Sequence, residues 1–241
     1  MGVYLQSLID GLLIGGVYAT IAVGLSLAFG VMRIINWAQG ELLMISMYVS
    51  YVIFSSLGLD PYVIAVITAV IMFGVGYLLQ NTIISNILAR ETAREPVSVL
   101  LFTAGLGMFL SNGVLAIVGS APVSVITKYS GKMLVINDIF ISVPKLISFV
   151  IALLCTLLLY LFLQKSEMGR AIRATAQNRQ VATLMGINQK KIYNIAFGIS
   201  IALVGVSGAL LLPYYTVSYS IGTTFSFKSF IIVVLGGKGS V

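Results

Sequence analysis

Long, nearly unbroken apolar runs recur along this chain. Between residues 146 and 163, only Ser148 and Thr156 interrupt a series of apolar side chains. Hydrophobic residues make up 59% of the sequence and charged residues 9%, and a water-soluble protein of that composition would have to expose large apolar patches. Because a membrane-spanning helix needs about 20 apolar residues, we predict a polytopic membrane protein.

The apolar runs suggest seven membrane spans. They cover residues 7–31, 37–57, 62–88, 97–119, 145–164, 191–213 and 224–236, and the last is short. The strands of a membrane β-barrel would show short segments with alternating polar residues, whereas these runs are continuous and rich in Leu, Ile, Ala and Gly. Helices satisfy their own backbone hydrogen bonds in lipid. We therefore expect an all-α transmembrane helical bundle that forms one domain over residues 1–241.

The positions of the cations predict how the bundle is oriented. With seven alternating spans, ten of the 14 Lys and Arg residues fall on one side: Arg33, Arg90, Arg94, Lys165, Arg170, Arg173, Arg179, Lys190, Lys191 and Lys238. The other four fall on the opposite side: Lys128, Lys132, Lys145 and Lys228. Cytoplasmic loops carry an excess of Lys and Arg, so the first side is predicted to be cytoplasmic and the N-terminus to lie outside. The first run has no basic leader and no evident cleavage site, so we expect a retained helix rather than a signal peptide.

The longest predicted extracytoplasmic connection covers residues 120–145. Two apolar stretches, residues 133–136 and 139–143, flank Asn137 and Asp138. This pattern is typical of a β-hairpin with a two-residue turn. Such a hairpin would either cover the helix ends or contact a soluble partner outside.

Small residues recur at four-residue spacing within the apolar runs. Gly11 and Gly15 form a G-x-x-x-G motif, and Gly198 and Gly205 each begin a similar pair of small residues. That spacing is typical of helix packing within a bundle, and a dimer interface is the alternative.

A polar cluster stands at the predicted start of the second span. Asn36, followed three residues later by Gln39, fits a capping box, with Trp37 as an interfacial aromatic anchor. Glu41 lies one turn further into the span, where a carboxylate is costly unless it is paired, and Arg33 is the nearest cation in sequence. Either these residues only cap a helix, or Asn36, Gln39 and Glu41 contribute to a translocation path or its gating.

The long polar stretch of the chain, residues 165–190, separates two apolar runs and is predicted to lie on the cytoplasmic side. Arg170, Arg173 and Gln177 would share a polar face. We expect this stretch to form a basic connector of short helices, which a soluble partner can reach.

A short helix is predicted near the end of this stretch. Asn178 suits its N-cap and Gly186 its C-terminal end, and Val181, Leu184 and Met185 would share one apolar face. Such a face could dock into a groove of a second protein, with arginines at the rim. An amphipathic helix that rests on anionic lipid would use the same residues.

The sequence gives no sign of nucleotide or metal chemistry. A Walker A motif built on Lys238 would need Gly at position 232 and Ser or Thr directly after the lysine, and the chain has Ile232 and Gly239 there. The chain has no His, so it cannot form His-dependent proton relays or His metal ligands. The net charge of +7 follows from the cytoplasmic excess of cations, and no basic stripe interleaved with aromatic residues suggests nucleic-acid binding.

Four stretches together resemble the permease subunits of branched-chain amino acid ABC importers. Residues 24–42 resemble the family's first helix and its Asn-Phe-Ala-His-Gly-Glu turn, residues 134–143 its extracytoplasmic strand pair, and residues 234–240 its late glycine motif. Within residues 169–188, the Gly-Arg-Ala-x-Arg-Ala opening and the Ala-x-x-x-Gly-Ile-Asn ending resemble its cytoplasmic coupling region. The resemblance covers nearly the whole chain and is greatest to the H-type subunit.

The resemblance implies an ATPase-coupling role for ten residues of this stretch. They are Gly169, Arg170, Arg173, Ala176, Asn178, Val181, Ala182, Leu184, Met185 and Gly186. It also implies a bacterial cytoplasmic-membrane location and a set of partners: a homologous second permease, two cytoplasmic ATPase subunits, an extracytoplasmic substrate-binding protein and membrane lipid. No nucleic acid is expected as a partner. No cofactor is expected in this chain, because the ATPase subunits would use the ATP.

The chain departs from the family pattern at several places. The family usually has proline where this chain has Arg179 and commonly histidine where it has Gln39, so chemistry that needs those residues is not expected. The family usually continues beyond the position of Val241 into another membrane helix, for eight spans or more. The sequence is therefore expected to be truncated or to lack one helix.

Other transport classes are the alternatives. An ion-coupled secondary carrier would carry ionisable groups deep in its helices, whereas the acidic residues here all fall in or near predicted connections. A channel would need a filter or a polar ring, and no stretch suggests one. An ABC permease for a sugar or nucleoside is the nearer alternative, because a fold does not determine its cargo.

Overall fold

The computed structural model describes residues 2–90, 97–136 and 139–237 of the chain, and most of these residues are helical. The elements in chain order are α1 (Gly2–Met32), α2 (Gln39–Leu57), α3 (Pro61–Leu79), a π-helical segment (Gln80–Ile84), α4 (Ser85–Arg90), α5 (Val97–Val118), β1 (Met133–Ile136), β2 (Ile139–Ser142), α6 (Val143–Lys165), α7 (Glu167–Gln177), α8 (Arg179–Leu184), α9 (Gln189–Leu211) and α10 (Ile221–Gly236). The predicted helical bundle is confirmed.

Six helices in the described part of the chain are long and apolar enough to cross a membrane. They are Tyr4–Met32, Gln39–Leu57, Pro61–Arg90, Val97–Val118, Val143–Lys165 and Gln189–Leu211. The third of these runs without a break through α3, the π-helical segment and α4. The seventh predicted span corresponds to α10, which has 16 residues and is short for a bilayer crossing.

The core of the bundle is built around α9, most of which is buried. Gly205 packs against the backbone of Thr68 and the side chain of Met72 on α3, so the predicted packing role of this later glycine is confirmed. At Gly11 and Gly15 no atom of another element lies within 4 Å of where a Cβ would stand, so this pair makes no such packing contact within the described chain and a dimer interface stays the alternative. Gly11 is exposed and Gly15 is half-buried in the described chain.

The relative direction of α3 and α9 agrees with the seven-span prediction. α3 and α9 run antiparallel, because Thr68 meets Gly205 near one end and Asn81 bonds to Asn194 near the other. One end of the bundle carries the end of α1, α7, α8 and the start of α9, and the other end carries the strand pair. Lys228 lies inside α10, not in a connection as its predicted position implied. Arg94 and Lys238 lie outside the described residues, as do the two acidic residues Glu91 and Glu95.

The predicted strand pair is also confirmed. β1 and β2 are antiparallel, with Leu134 opposite Ile141. The Gln6 side chain donates to the Phe140 carbonyl oxygen at 2.7 Å and accepts from the Phe140 N–H at 2.9 Å. These two bonds fix the strand pair against the start of α1. The predicted turn at Asn137 and Asp138 lies outside the described residues.

Candidate functional site

The coupling segment, residues 165–190, folds into two short helices at the end of the bundle where α9 begins. Ser166 caps α7 by accepting from the Gly169 N–H at 2.8 Å. Gly169 itself is buried against the last turn of α6, where a Cβ would lie only 2.6 Å from the Leu163 Cα. Ala176 is half-buried against the core. Gly169 therefore positions α7 and is not open to a partner, whereas Ala176 is partly exposed.

Two arginines of α7 point away from the bundle. Arg170 and Arg173 are both exposed, as is Gln177. Arg170 lies 3.7 Å from the Glu167 carboxylate, and both side chains are largely in solvent. Such an exposed ion pair contributes little to stability, so both guanidinium groups are available to another surface.

The caps predicted for the second short helix are present in α8. The Asn178 Oδ1 accepts from the N–H groups of Gln180 and Val181 at 3.0 and 3.2 Å. At the other end, Gly186 has a φ of +82°, which favours glycine. The Ile187 N–H donates to the Ala182 carbonyl and the Gly186 N–H to the Thr183 carbonyl, the two bonds of a Schellman motif.

The apolar face of α8 is exposed. Leu184 is 86% exposed, Met185 78% and Val181 53%. Ala182 was predicted as a coupling residue, but it is buried beneath the helix and cannot reach a partner. The structure therefore places Val181, Leu184 and Met185 together on an uncovered surface and uses Ala182 to seat the helix.

Arg179 joins the coupling segment to two spans. Its guanidinium donates to the Met32 carbonyl oxygen at the end of α1 and lies 5.8 Å from the Tyr193 ring centroid on α9. The Gln189 side chain donates to the Arg179 carbonyl at 2.8 Å. A displacement of α8 would thus act directly on the ends of α1 and α9.

Glu41 is held differently from the prediction. Its side chain is buried, and the carboxylate accepts from the Ser226 Oγ at 3.1 Å and from the Thr223 Oγ1 at 3.4 Å. Arg33, the nearest cation in sequence, does not pair with Glu41, because Arg33 is exposed beyond the end of α1 while α10 packs on the start of α2. Glu41 lies in the first turn of α2, next to the connection from α1, as the expected placement of acidic residues in or near connections requires.

The start of α2 is packed directly on α10. A Cβ at Gly222 would lie 2.9 Å from the Glu41 Cα, and the Gly40 N–H donates to the Ser226 Oγ at 3.0 Å. Only glycine allows the two backbones to approach so closely.

The predicted capping box at this helix start is wrong. The N-cap is Ala38, whose side chain makes no capping bond. Instead, the Asn36 Oδ1 accepts from the Ala38 N–H, and the Asn36 Nδ2 donates to the Gln39 Oε1 at 3.0 Å. The buried Gln39 Nε2 has no hydrogen-bond partner among the described residues.

Sequence reasoning missed one polar cluster, which joins the middle of α1, α10 and the segment that follows α9. The Lys228 Nζ donates to the Tyr18 hydroxyl at 3.2 Å, and that hydroxyl lies 2.8 Å from the Tyr215 hydroxyl. We call Lys228, Tyr18 and Tyr215 the Lys228 cluster. The signal that could have revealed it is a single lysine within an apolar stretch, since such residues are costly in a membrane.

Comparisons with known proteins identify relatives over nearly the full chain. Residues 7–241 match the family model of the permease component of branched-chain amino acid transport systems. The high-affinity branched-chain amino acid transport permease BraD of Pseudomonas aeruginosa is 30% identical over 99% of this chain and 80% of its own length. LivH of Salmonella typhimurium, a permease of the same description, is 31% identical with the same coverage. A probable LivH of Methanocaldococcus jannaschii is 27% identical over 90% of this chain and 69% of its own length. No solved structure matches.

Proposed function

This chain belongs to the family of permease components of branched-chain amino acid transport systems, and we propose that it is one transmembrane subunit of an ATP-driven ABC importer for branched-chain, hydrophobic amino acids. The family match and the six long apolar helices support this assignment. The protein is a multi-pass protein of the bacterial cytoplasmic membrane. The identity of the cargo is inferred from the relatives.

In the proposed importer, separate chains form the translocation path, deliver the cargo and hydrolyse ATP. A homologous second permease completes the translocation path, an extracytoplasmic binding protein delivers cargo, and two cytoplasmic ATPase subunits hydrolyse ATP. Two observations support this division. Lys238 lacks the neighbours of a Walker A motif, and most of α5 is uncovered by the described chain. An uncovered apolar helix face suits lipid or a second membrane subunit.

The exposed face of α8 carries the coupling proposal. Leu184 and Met185 are large apolar side chains that stand almost fully exposed within a polar segment. Burial of a leucine side chain is worth about 1.5–3 kcal/mol, so a groove in an ATPase subunit would gain from covering them. Arg170 and Arg173 would contact its rim. ATP-driven movement of that groove would reach α1 and α9 through the contacts of Arg179.

Asn36, Gln39 and Glu41 are proposed to form part of the translocation path or of its gate. The support is their burial at the start of α2, where Glu41 has hydroxyl partners but no cation within ion-pair distance among the described residues. An ionised side chain at such a place is costly and usually functional.

A co-purification experiment tests the coupling proposal. Leu184→Asp should place an unpaired carboxylate in the contact, and its desolvation should cost several kcal/mol, so the ATPase subunits should be lost and leucine uptake should collapse. Gln180→Asp is the matched control, since it introduces the same charge at an exposed position of the same helix. It should retain the ATPases and transport.

Charge reversal at Arg170 and Arg173 is a second test of the coupling proposal. Arg170→Glu and Arg173→Glu should weaken ATPase binding less than Leu184→Asp, because exposed charges are hydrated and screened. If the coupling segment only rested on lipid, the six spans would hold the chain in the membrane and all these variants would retain the ATPases. Full retention by Leu184→Asp with normal uptake would contradict the coupling assignment.

A further inference from the structure

Lys228 carries a positive charge within a helix of the bundle. It lies in α10, is half-buried, and its Nζ stands 5.0 Å from the Tyr18 ring centroid and 5.4 Å from the Phe225 ring centroid. Tyr18 is near the middle of α1. A lysine at membrane depth costs about 2.5–3.5 kcal/mol on insertion scales, and cation–π contacts return only part of that.

The described residues offer Lys228 no anion. Asp10, the acidic residue near the same end of the bundle, is paired with Lys145 at 2.8 Å. Glu41 accepts from Thr223 and Ser226, which lie on a different side of α10 from Phe225 and Lys228. The charge on Lys228 is therefore left for a ligand or a partner chain to neutralise.

One hydrogen bond of the Lys228 cluster has a fixed direction. An ammonium group can only donate, so the Tyr18 oxygen must accept from Lys228. The Tyr18 and Tyr215 hydroxyls are 2.8 Å apart, and either of them can donate to the other. One hydroxyl hydrogen of the two tyrosines and two ammonium hydrogens are left without a described acceptor, so the cluster presents three donors and a positive charge.

The residues around the Lys228 cluster keep the Tyr215 hydroxyl protonated and place an aromatic ring beside the donors. Burial raises the pKa of the Tyr215 hydroxyl, so it keeps its proton near neutral pH. The Phe225 ring packs edge-on against Tyr18 and Tyr215, with ring centroids 5.4 and 5.6 Å apart. All three members of the Lys228 cluster are half-buried, so the described chain leaves part of each side chain uncovered.

We propose that the Lys228 cluster binds the carboxylate of the amino acid that is being transported. The Lys228 ammonium and the Tyr215 hydroxyl donate to the carboxylate oxygens, Tyr18 positions Tyr215, and the aromatic rings contact the apolar part of the solute. This inference rests on the proposed function, because it takes the cargo to be an amino acid. Tyr215 follows α9 at the predicted extracytoplasmic end, so the cluster would meet cargo early on its path.

The test uses the complete importer in proteoliposomes, with the liganded binding protein at saturating concentration. Lys228→Gln should lower the rate of leucine uptake about 10- to 100-fold, the range expected for a lost hydrogen bond to a charged group. Tyr215→Phe should lower it about five- to tenfold. Lys228→Arg, which keeps the charge, should restore most of the rate. Lys132→Gln is the matched control, because Lys132 also stands over a tyrosine ring, 5.9 Å from the Tyr129 centroid, but is exposed.

Co-purification of the second permease and the ATPases separates the outcomes. Under the proposal, Lys228→Gln keeps the whole complex and loses uptake. Loss of the second permease from that variant would show that Lys228 pairs with an acidic residue of the partner, and normal uptake would show that its charge is not used; either result overturns the proposal. A wild-type complex that transports no branched-chain amino acid would instead contradict the proposed function.

Discussion

At the scale of single residues, two ionisable groups lie on different sides of α10. Glu41 is held by the hydroxyls of Thr223 and Ser226, and Lys228 by the hydroxyl of Tyr18. Neither forms an ion pair within the described residues. α10 therefore carries both polar clusters, although it is the shortest of the apolar helices that were expected to span the membrane.

Removal of the Glu41 charge should separate its structural role from its transport role. Glu41→Gln keeps an oxygen that accepts from Thr223 or Ser226, so we expect the free energy of unfolding to change by less than about 1.5 kcal/mol. Uptake should fall about tenfold if the charge acts in the path. Melting temperature and uptake are the two measurements. Unchanged uptake in this variant would show that Glu41 has a structural role and none in transport.

The backbone contact between α2 and α10 gives a prediction about glycine. A Cβ at Gly40 would collide with the Gly222 carbonyl oxygen and the Ser226 N–H, so Gly40→Ala should force the helices apart and destabilise the protein by about 1–3 kcal/mol. Gly74→Ala is the matched control. It lies within α3 with no atom near the added Cβ and should be neutral or slightly stabilising. Thermal unfolding in detergent measures both, and equal melting temperatures would contradict the contact.

At the scale of elements, α8 is too short to be stable alone, since isolated helices of fewer than about 12 residues are marginal in water. Its six residues are held by the Asn178 cap, the Gly186 turn and the contacts of Arg179. A helix that depends on a few contacts can shift as a unit, which suits a coupling element.

Loss of the cap should therefore loosen α8 selectively. Asn178→Ala should cost about 1 kcal/mol and raise amide hydrogen exchange in residues 180–184 about fivefold. Asn188→Ala removes the equivalent cap of α9, where the Asn188 Oδ1 accepts from the Lys191 N–H at 3.1 Å. Because α9 is long and mostly buried, only its first turn should respond. A similar rise across both helices would contradict the account of α8.

The sequence predicts a feature well when the residues that form it are close together in the chain. Six of the seven spans, the strand pair and the caps of α8 depend on residues that are close in sequence, and the structure confirms them. The partners of Glu41 and Lys228 could not be predicted, because Thr223 lies 182 residues from Glu41 and Lys228 lies 210 residues from Tyr18. The burial of Ala182 also escaped prediction, since the surface beneath α8 is formed by other parts of the chain.

At the scale of the whole molecule, the charges divide between the two ends of the bundle. Lys165, Lys190 and the arginines of α7 and α8 lie at the end with the coupling segment, and Lys132 and Lys145 lie at the end with the strand pair. The excess of cations at the first end predicts that it faces the cytoplasm.

Thiol labelling tests this orientation. In a Cys155→Ala background, which removes the chain's one cysteine, cysteines replace two exposed residues, Ser124 and Gln177. An impermeant thiol reagent should label the Ser124→Cys variant in intact cells and the Gln177→Cys variant only after the membrane is disrupted. The reverse labelling pattern would contradict the predicted orientation of the bundle.

The central claim is that this chain forms a path and that other subunits power it. The most direct measurement is leucine uptake into proteoliposomes that contain the purified chain alone, or the chain with the second permease, both ATPases and the liganded binding protein. We predict ATP-dependent accumulation only with the complete set, and neither ATP hydrolysis nor accumulation with the chain alone. Accumulation by the chain alone under an ion gradient would contradict the claim and identify an ion-coupled carrier.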